Sequence, residues 1–207
     1  MRTLIVVDIQ NDFLPGGALP VAQGDQVIPV ANRLMPAFDL VVATKDWHPA
    51  NHGSFASTHP GTQPGDIVEL GGVPQILWPD HCVQDTWGAE FGPGLQTDAI
   101  DHLVYKGTDP EIDSYSTFYD NAWQRATGLH DYLRERGVRE IHLLGLATDY
   151  CVLYSVRDAR KLGYTVFVVQ DGCRGIDLHP GDVDRAFAEM REIGATLVWS
   201  NELAEAA

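Results

Sequence analysis

The chain has 207 residues, of which 44% are apolar and 21% charged, and its 14 basic and 29 acidic side chains give a formal charge of -15. This composition fits one globular domain able to bury a sizeable core and excludes global disorder, low complexity and collagen-like sequence. The acidic field repels polyanions, which argues against nucleic acid and anionic membrane as partners, and no apolar run approaches the ~20 residues needed to cross a bilayer.

The opening MRTLIVVDIQ holds an apolar stretch too short for a signal peptide. Within it Thr3–Val7 is a β-branched run predicted to be a strand. A helical pattern over Asp25–Phe38 follows, then a strand at Leu40–Ala43. From Trp47 to Asp98 the chain is rich in glycine and proline and shows little periodicity, an extent that in a compact domain points to a functional loop. That loop carries His48, His52, His59 and His81 together with Trp47, Trp78 and Trp87. Strands are predicted next at His102–Tyr105, Glu140–Leu144, Thr165–Val169 and Thr196–Trp199, and helices at Gly128–Arg136, Asp149–Leu162 and Gly181–Ile193. Gly137, Gly163 and Gly194 stand just after the last three helices, where a left-handed cap is expected. Strand and helix in alternation imply a parallel sheet with helices on both faces, within one domain spanning 1–207 and interrupted by the loop at about 46–98.

Ligands of open parallel sheets bind beyond the carboxyl ends of the strands. Those ends hold Asp8, the run Thr44-Lys45-Asp46 followed by Trp47 and His48, then Lys106, and Gly145–Thr148 leading to Cys151. Thr148 reads as an N-cap, so Cys151 falls in the first turn of a helix, where the dipole favours a thiolate. A desolvated carboxylate at Asp8 could serve as a base toward that thiol. Lys106 would help hold a thiolate or a negative intermediate, although a solvated strand-end lysine is an equal reading. Asp46 and His48, two apart in an extended segment, point to one side and can meet one cation, with His81 completing the set; such mixed ligands suit zinc, iron or manganese. The three cysteines, Cys82, Cys151 and Cys173, form no CxxC pair, which fits a reducing cytoplasm better than a disulfide framework.

Five segments in order resemble the nicotinamidase/pyrazinamidase branch of the isochorismatase-like cysteine hydrolases: VVDIQNDF (Val6–Phe13), ATKDWHPANHGSF (Ala43–Phe55), WPDHCV (Trp78–Val83), YKG (Tyr105–Gly107) and GLATDYCV (Gly145–Val152). The resemblance implies a three-layer α/β/α sandwich on a six-stranded parallel sheet and a catalytic triad matched by Asp8, Lys106 and Cys151. It matches Asp46, His48 and His81 to ligands of one divalent metal, with zinc first and iron or manganese as alternatives. Phe13 and Trp78 match aromatic residues that sandwich a pyridine ring, and Tyr115 matches a further wall. The bond before Ala147 matches a position that is cis in the family and lets the amides of Ala147 and Cys151 face one oxyanion. His52 is assigned to supporting the pocket, because its spacing differs from that of relatives that use another histidine ligand. The implied activity is hydrolysis of nicotinamide to nicotinate and ammonia through a cysteine thioester, in NAD salvage, by a cytoplasmic protein; family members differ in self-association, and a homo-oligomer is one form the resemblance allows. The competing readings are an amidase for another carboxamide and a non-enzymatic metal-binding module, which would need neither Asp8 nor Lys106.

Overall fold

The computed structural model describes residues 1–204; residues 205–207, the end of the expected 1–207 unit, lie outside the described residues. Six strands form one parallel sheet: β1 (Thr3–Val7), β2 (Leu40–Asp46), β5 (His102–Lys106), β6 (Glu140–Leu146), β7 (Thr165–Arg174) and β8 (Thr196–Val198). Their order is β5-β2-β1-β6-β7-β8, all neighbours parallel. The first strand therefore sits in the middle, and the connections run outward from it in both directions. All five residues of β1 are buried, which is why its sequence is one threonine followed by an unbroken apolar run.

The helices flank this sheet. In α1 (Val27–Leu34) the buried residues Val27, Ile28, Val30, Ala31 and Leu34 form a stripe at helical spacing that packs on β6 and β7. The helix is shorter than the predicted Asp25–Phe38 because short 3-10 turns stand at both ends, Gly24–Gln26 before it and Met35–Ala37, containing Pro36, after it. Further along come α2 (Leu129–Glu135), α3 (Leu153–Lys161), α4 (Asp182–Glu192) and the short α5 (Ser200–Ala204). Arg157 of α3 holds Glu189 of α4 through two hydrogen bonds of 2.6 and 2.8 Å. None of the described helices is long and apolar enough to cross a membrane.

Two departures from the predicted elements bear on the placement of charged side chains and on the shape of the long loop. Strand β2 runs past Ala43 to Asp46, because Thr44, Lys45 and Asp46 pair with Val104, Tyr105 and Lys106 of β5. Asp46 and Lys106 are thus register partners, and their side chains leave the sheet side by side. The long loop also contains an unpredicted antiparallel hairpin, β3 (Ile67–Leu70) and β4 (Val73–Ile76), turned by Gly71 and Gly72, both at positive φ. At the sheet's centre β1 and β6 approach so closely that a Cβ on Gly145 would lie 2.1 Å from the Val7 carbonyl oxygen.

Candidate active site

Four strand ends deliver the charged residues to one rim. Asp8 follows β1 with φ at 48°, a left-handed conformation that aspartate tolerates better than most residues. Lys106 ends β5, and Cys151 lies in a π-type turn, Thr148–Val152, that leads into α3. The Lys106 Nζ is 2.9 Å from Asp8 Oδ2, 3.4 Å from Cys151 Sγ and 3.0 Å from the Ser114 carbonyl oxygen, and it also donates to Asp46 Oδ1. Asp8, Lys106 and Cys151 are all buried. The solvated strand-end reading of Lys106 is therefore wrong: register with Asp46 turns its amine inward. The Leu146–Ala147 peptide is cis, at the position the sequence singled out.

Burial dominates the electrostatics. It pushes the Cys151 thiol well above its ordinary value, Lys106 works against that rise, and Asp8 and Asp46 add to it. The expectation that a helix N-terminus would leave a thiolate here is corrected by this balance, since desolvation outweighs the cation. The N-cap reading of Thr148 also fails: Ala147 holds the cap position, and Thr148 Oγ1 is buried with no hydrogen-bond partner. For Lys106 burial alone would lower the ammonium, yet Asp46, Asp8 and Cys151 together hold it well above its ordinary range. Asp46 is raised by burial against the pull of Lys106.

Asp46, His48 and His81 each offer one ligand atom, all within 4.8 Å of one another, and all three are buried. His48 Nδ1 donates to the Gly107 carbonyl at 2.8 Å, and His81 Nδ1 donates to the Pro79 carbonyl at 2.7 Å. Each ring therefore presents an unprotonated Nε2, the arrangement that metal-binding imidazoles adopt. Burial, first among the causes, lowers both rings below their ordinary value and keeps them neutral, as ligands must be. A divalent cation fits this donor set. Gly107 is required by the same contact, since a Cβ there would meet the His48 ring at 2.3 Å. His52 lies against His48 with ring centroids 4.3 Å apart and the rings tilted, but its Nδ1 accepts from the Ser54 N–H at 3.2 Å, which places its proton on Nε2, the reverse of the other two. His59 lies apart, bonded to the Gly53 carbonyl at 2.7 Å.

A narrow cleft joins the thiol to the histidine cluster, lined by Cys151, Ala147, Asp46, His81, Phe13, Trp78 and Tyr115. Phe13, from a 3-10 turn after β1, lies 5.5 Å from the His81 ring. Trp78 Nε1 donates to the Tyr115 hydroxyl at 2.9 Å, which also accepts from Gln75 Nε2 at 2.8 Å. All the predicted site residues are thus brought together. The sequence reading missed the other lining residues Leu19, Asp113, Tyr150 and Ile176. Tyr150 stands edge-on to Trp78 at 4.9 Å, and its place directly before Cys151 was the available signal. Asp113 is buried, accepts from Gln75 Nε2 at 3.1 Å and lies within 4.8 Å of the ligand atoms of His48 and His52; nothing in its sequence neighbourhood marks it.

The isochorismatase domain model matches residues 2–202. The chain is 50% identical to the nicotinamidase of Escherichia coli strain K12 over 200 residues, 95% of this chain and 93% of that protein. Its structure is similar to that of an Acinetobacter baumanii nicotinamidase/pyrazinamidase, with a TM-score of 0.94 and 44% identity over 98% of this chain and 97% of the other. It is also similar to the pyrazinamidase of Pyrococcus horikoshii in complex with zinc, with a TM-score of 0.77 and 40% identity over 96% of this chain and 98% of the other.

Proposed function

The chain belongs to the isochorismatase family, and on that premise we propose that it is a nicotinamide amidohydrolase, releasing nicotinate and ammonia in NAD salvage. The flat aromatic cleft accepts pyrazinamide as well, since one ring atom distinguishes the two substrates. The observation that carries this reading is the buried thiol of Cys151, 3.4 Å from Lys106 Nζ, at one end of a cleft that also contains Asp46 and His81.

The substrate ring lies against Phe13 and Trp78, with Tyr115 behind, and its carboxamide faces Cys151. Asp8 takes the thiol proton, and the sulfur attacks the carboxamide carbon. Lys106 holds the thiolate as it forms, which offsets the burial that otherwise keeps the thiol protonated. The backbone N–H groups of Ala147 and Cys151 receive the oxyanion; one such donor contributes roughly 10²–10³ in rate. As the intermediate collapses, the C–N bond breaks, Asp8 returns its proton to the amine and ammonia leaves. Water then cleaves the thioester, with Asp8 again accepting the proton, and the thiol is restored. A divalent cation, zinc foremost and iron or manganese as alternatives, would be held by Asp46, His48 and His81, and when bound it supplies a Lewis-acidic anchor for the ring nitrogen. His52 supports the ring of His48 without joining the ligands. The three free, buried cysteines fit a reducing cytoplasm.

The test is ammonia release from nicotinamide, with and without chelator. Turnover that chelation suppresses supports the reading. A protein that binds metal and releases no ammonia from either carboxamide would be the metal-binding module instead.

A further inference from the structure

Thr44 is a fully buried polar residue in β2, two positions before Asp46 and therefore on the same face of the strand. The ladder between β1 and β2 ends with Val6 opposite Ala43, so Thr44 stands beyond it, beside Asp8. Its hydroxyl meets both ends of that one residue. It accepts the Asp8 backbone N–H at 3.2 Å and donates its proton to Asp8 Oδ1 at 2.5 Å. The first contact ties down the backbone where φ is 48°. The second fixes the plane of the carboxylate, whose terminal torsion is otherwise broad. Oδ2 is left buried, with the Lys106 ammonium 2.9 Å away as its ion-pair partner. A carboxylate oxygen of Asp8 also lies within 4.8 Å of Cys151 Sγ.

We propose that Thr44 is a positioning residue that clamps Asp8 through one hydroxyl and so presents Oδ2 to the Cys151 thiol and the Lys106 ammonium. The proposal rests on the assignment of Asp8 as general base. A β-branched residue in a buried strand needs no hydroxyl for packing, and valine would fill the same volume. Valine supplies neither the acceptor for the Asp8 N–H nor the donor to Oδ1. Serine supplies both.

The test compares Thr44→Val, Thr44→Ser and Asp8→Asn in steady-state ammonia release from nicotinamide, with metal content measured on each protein. Thr44→Val should lower kcat by at least about tenfold, the loss expected for one charge-assisted hydrogen bond. KM and metal content should stay at the wild-type level, because the ring pocket and the histidine cluster are untouched. Thr44→Ser should recover most of the lost turnover. A valine variant that keeps wild-type kcat, a KM increase in place of a kcat decrease, or a folded serine variant as slow as valine would each overturn the clamp. If the valine variant fails to fold, Thr44→Ala takes its place, and serine must then exceed alanine by about tenfold. Full turnover in Asp8→Asn would overturn base and clamp together. Loss in Asp8→Asn with turnover kept in Thr44→Val would overturn the clamp alone.

Discussion

The sulfur of Cys151 lies 3.4 Å from the ammonium of Lys106, and both groups are buried. That pairing sets the chemistry of the site. Burial and two carboxylates oppose ionisation of the thiol, and Lys106 alone among the groups acting on it favours the anion. The burial and the carboxylates thus favour a resting thiol, and in the proposed reaction it is charged only when a base removes its proton beside a cation already in place.

Cys151→Ala should abolish ammonia release while leaving the fold and the binding of nicotinamide intact, because the lost atoms are one sulfur and its proton. Mass spectrometry of trapped wild-type protein should find the acyl group on Cys151. Cys82 and Cys173 are also buried, and burial raises both thiols, Cys173 to about 12. An adduct on either of them, or turnover in the alanine variant, would exclude Cys151 as the nucleophile.

Lys106→Met should destabilise the protein by about 3–5 kcal/mol, the usual effect of removing one partner from a buried ion pair. Lys106 stands between Asp8 and Asp46, and without it two buried carboxylates face each other with no cation. Urea unfolding of the two proteins reads this directly. A variant as stable as the wild type would show that the lysine is not the counter-ion that holds these carboxylates in the fold.

His142 carries a pH dependence far from the catalytic groups. It lies in β6, stacked on Phe167 at 4.7 Å and edge-on to Phe38 at 5.0 Å, with Nδ1 buried and unpartnered. Burial, with Arg2 adding repulsion, pushes it from 6.5 down to about 4. Between those values the unfolded chain takes up a proton that the native protein refuses, so stability falls as pH drops through that window. Above the upper value the contribution is complete, and below the lower one no more is lost. His142→Phe keeps the stacking and removes the titration. Its melting temperature should therefore fall less than that of the wild type between about pH 7 and about pH 4.5. Parallel melting curves for the two proteins would show that His142 is indifferent to acid.

The sheet was legible because each of its strands is built around a short apolar run, and β1 begins and ends where that run does. The strand ends were less legible, since Thr44, Lys45 and Asp46 are polar and extend β2 only through pairing with β5. The hairpin had its signal in Gly71-Gly72 between Leu70 and Val73, but Pro64 and Pro74 nearby read as irregular chain. Asp8, Lys106 and Cys151 stand at strand ends, where position alone makes a residue a candidate. Thr44 and Asp113 reach the site through contacts with residues distant in sequence, Asp8 for the first and Gln75 for the second, and no local pattern encodes such a contact. The thiolate expected for Cys151 failed for a related reason: the helix end is local and readable, whereas the desolvation that opposes it comes from the whole surrounding fold.

The metal set makes the final prediction. His48→Ala and His81→Ala should each lose the cation, although one residue follows β2 and the other lies beyond the hairpin. Each would supply one of the three donors, and the Nδ1 of each ring is already committed to a backbone carbonyl, which fixes the ring and leaves Nε2 for the cation. The loss of affinity should exceed the roughly 10–100-fold seen when only an outer hydrogen-bond partner is removed. With the cation gone, KM for nicotinamide should rise strongly, since the ring nitrogen loses its anchor. His59→Ala should keep both metal and KM, because its ring is bonded to the Gly53 carbonyl and takes no part in the cluster. His52→Ala should have a partial effect, through the 4.3 Å packing of its ring near His48. Elemental analysis per chain beside steady-state kinetics separates these cases. Full occupancy in His48→Ala or His81→Ala would mean that the ligands are other residues, and an unchanged KM in metal-free protein would mean that the cation does not anchor the substrate.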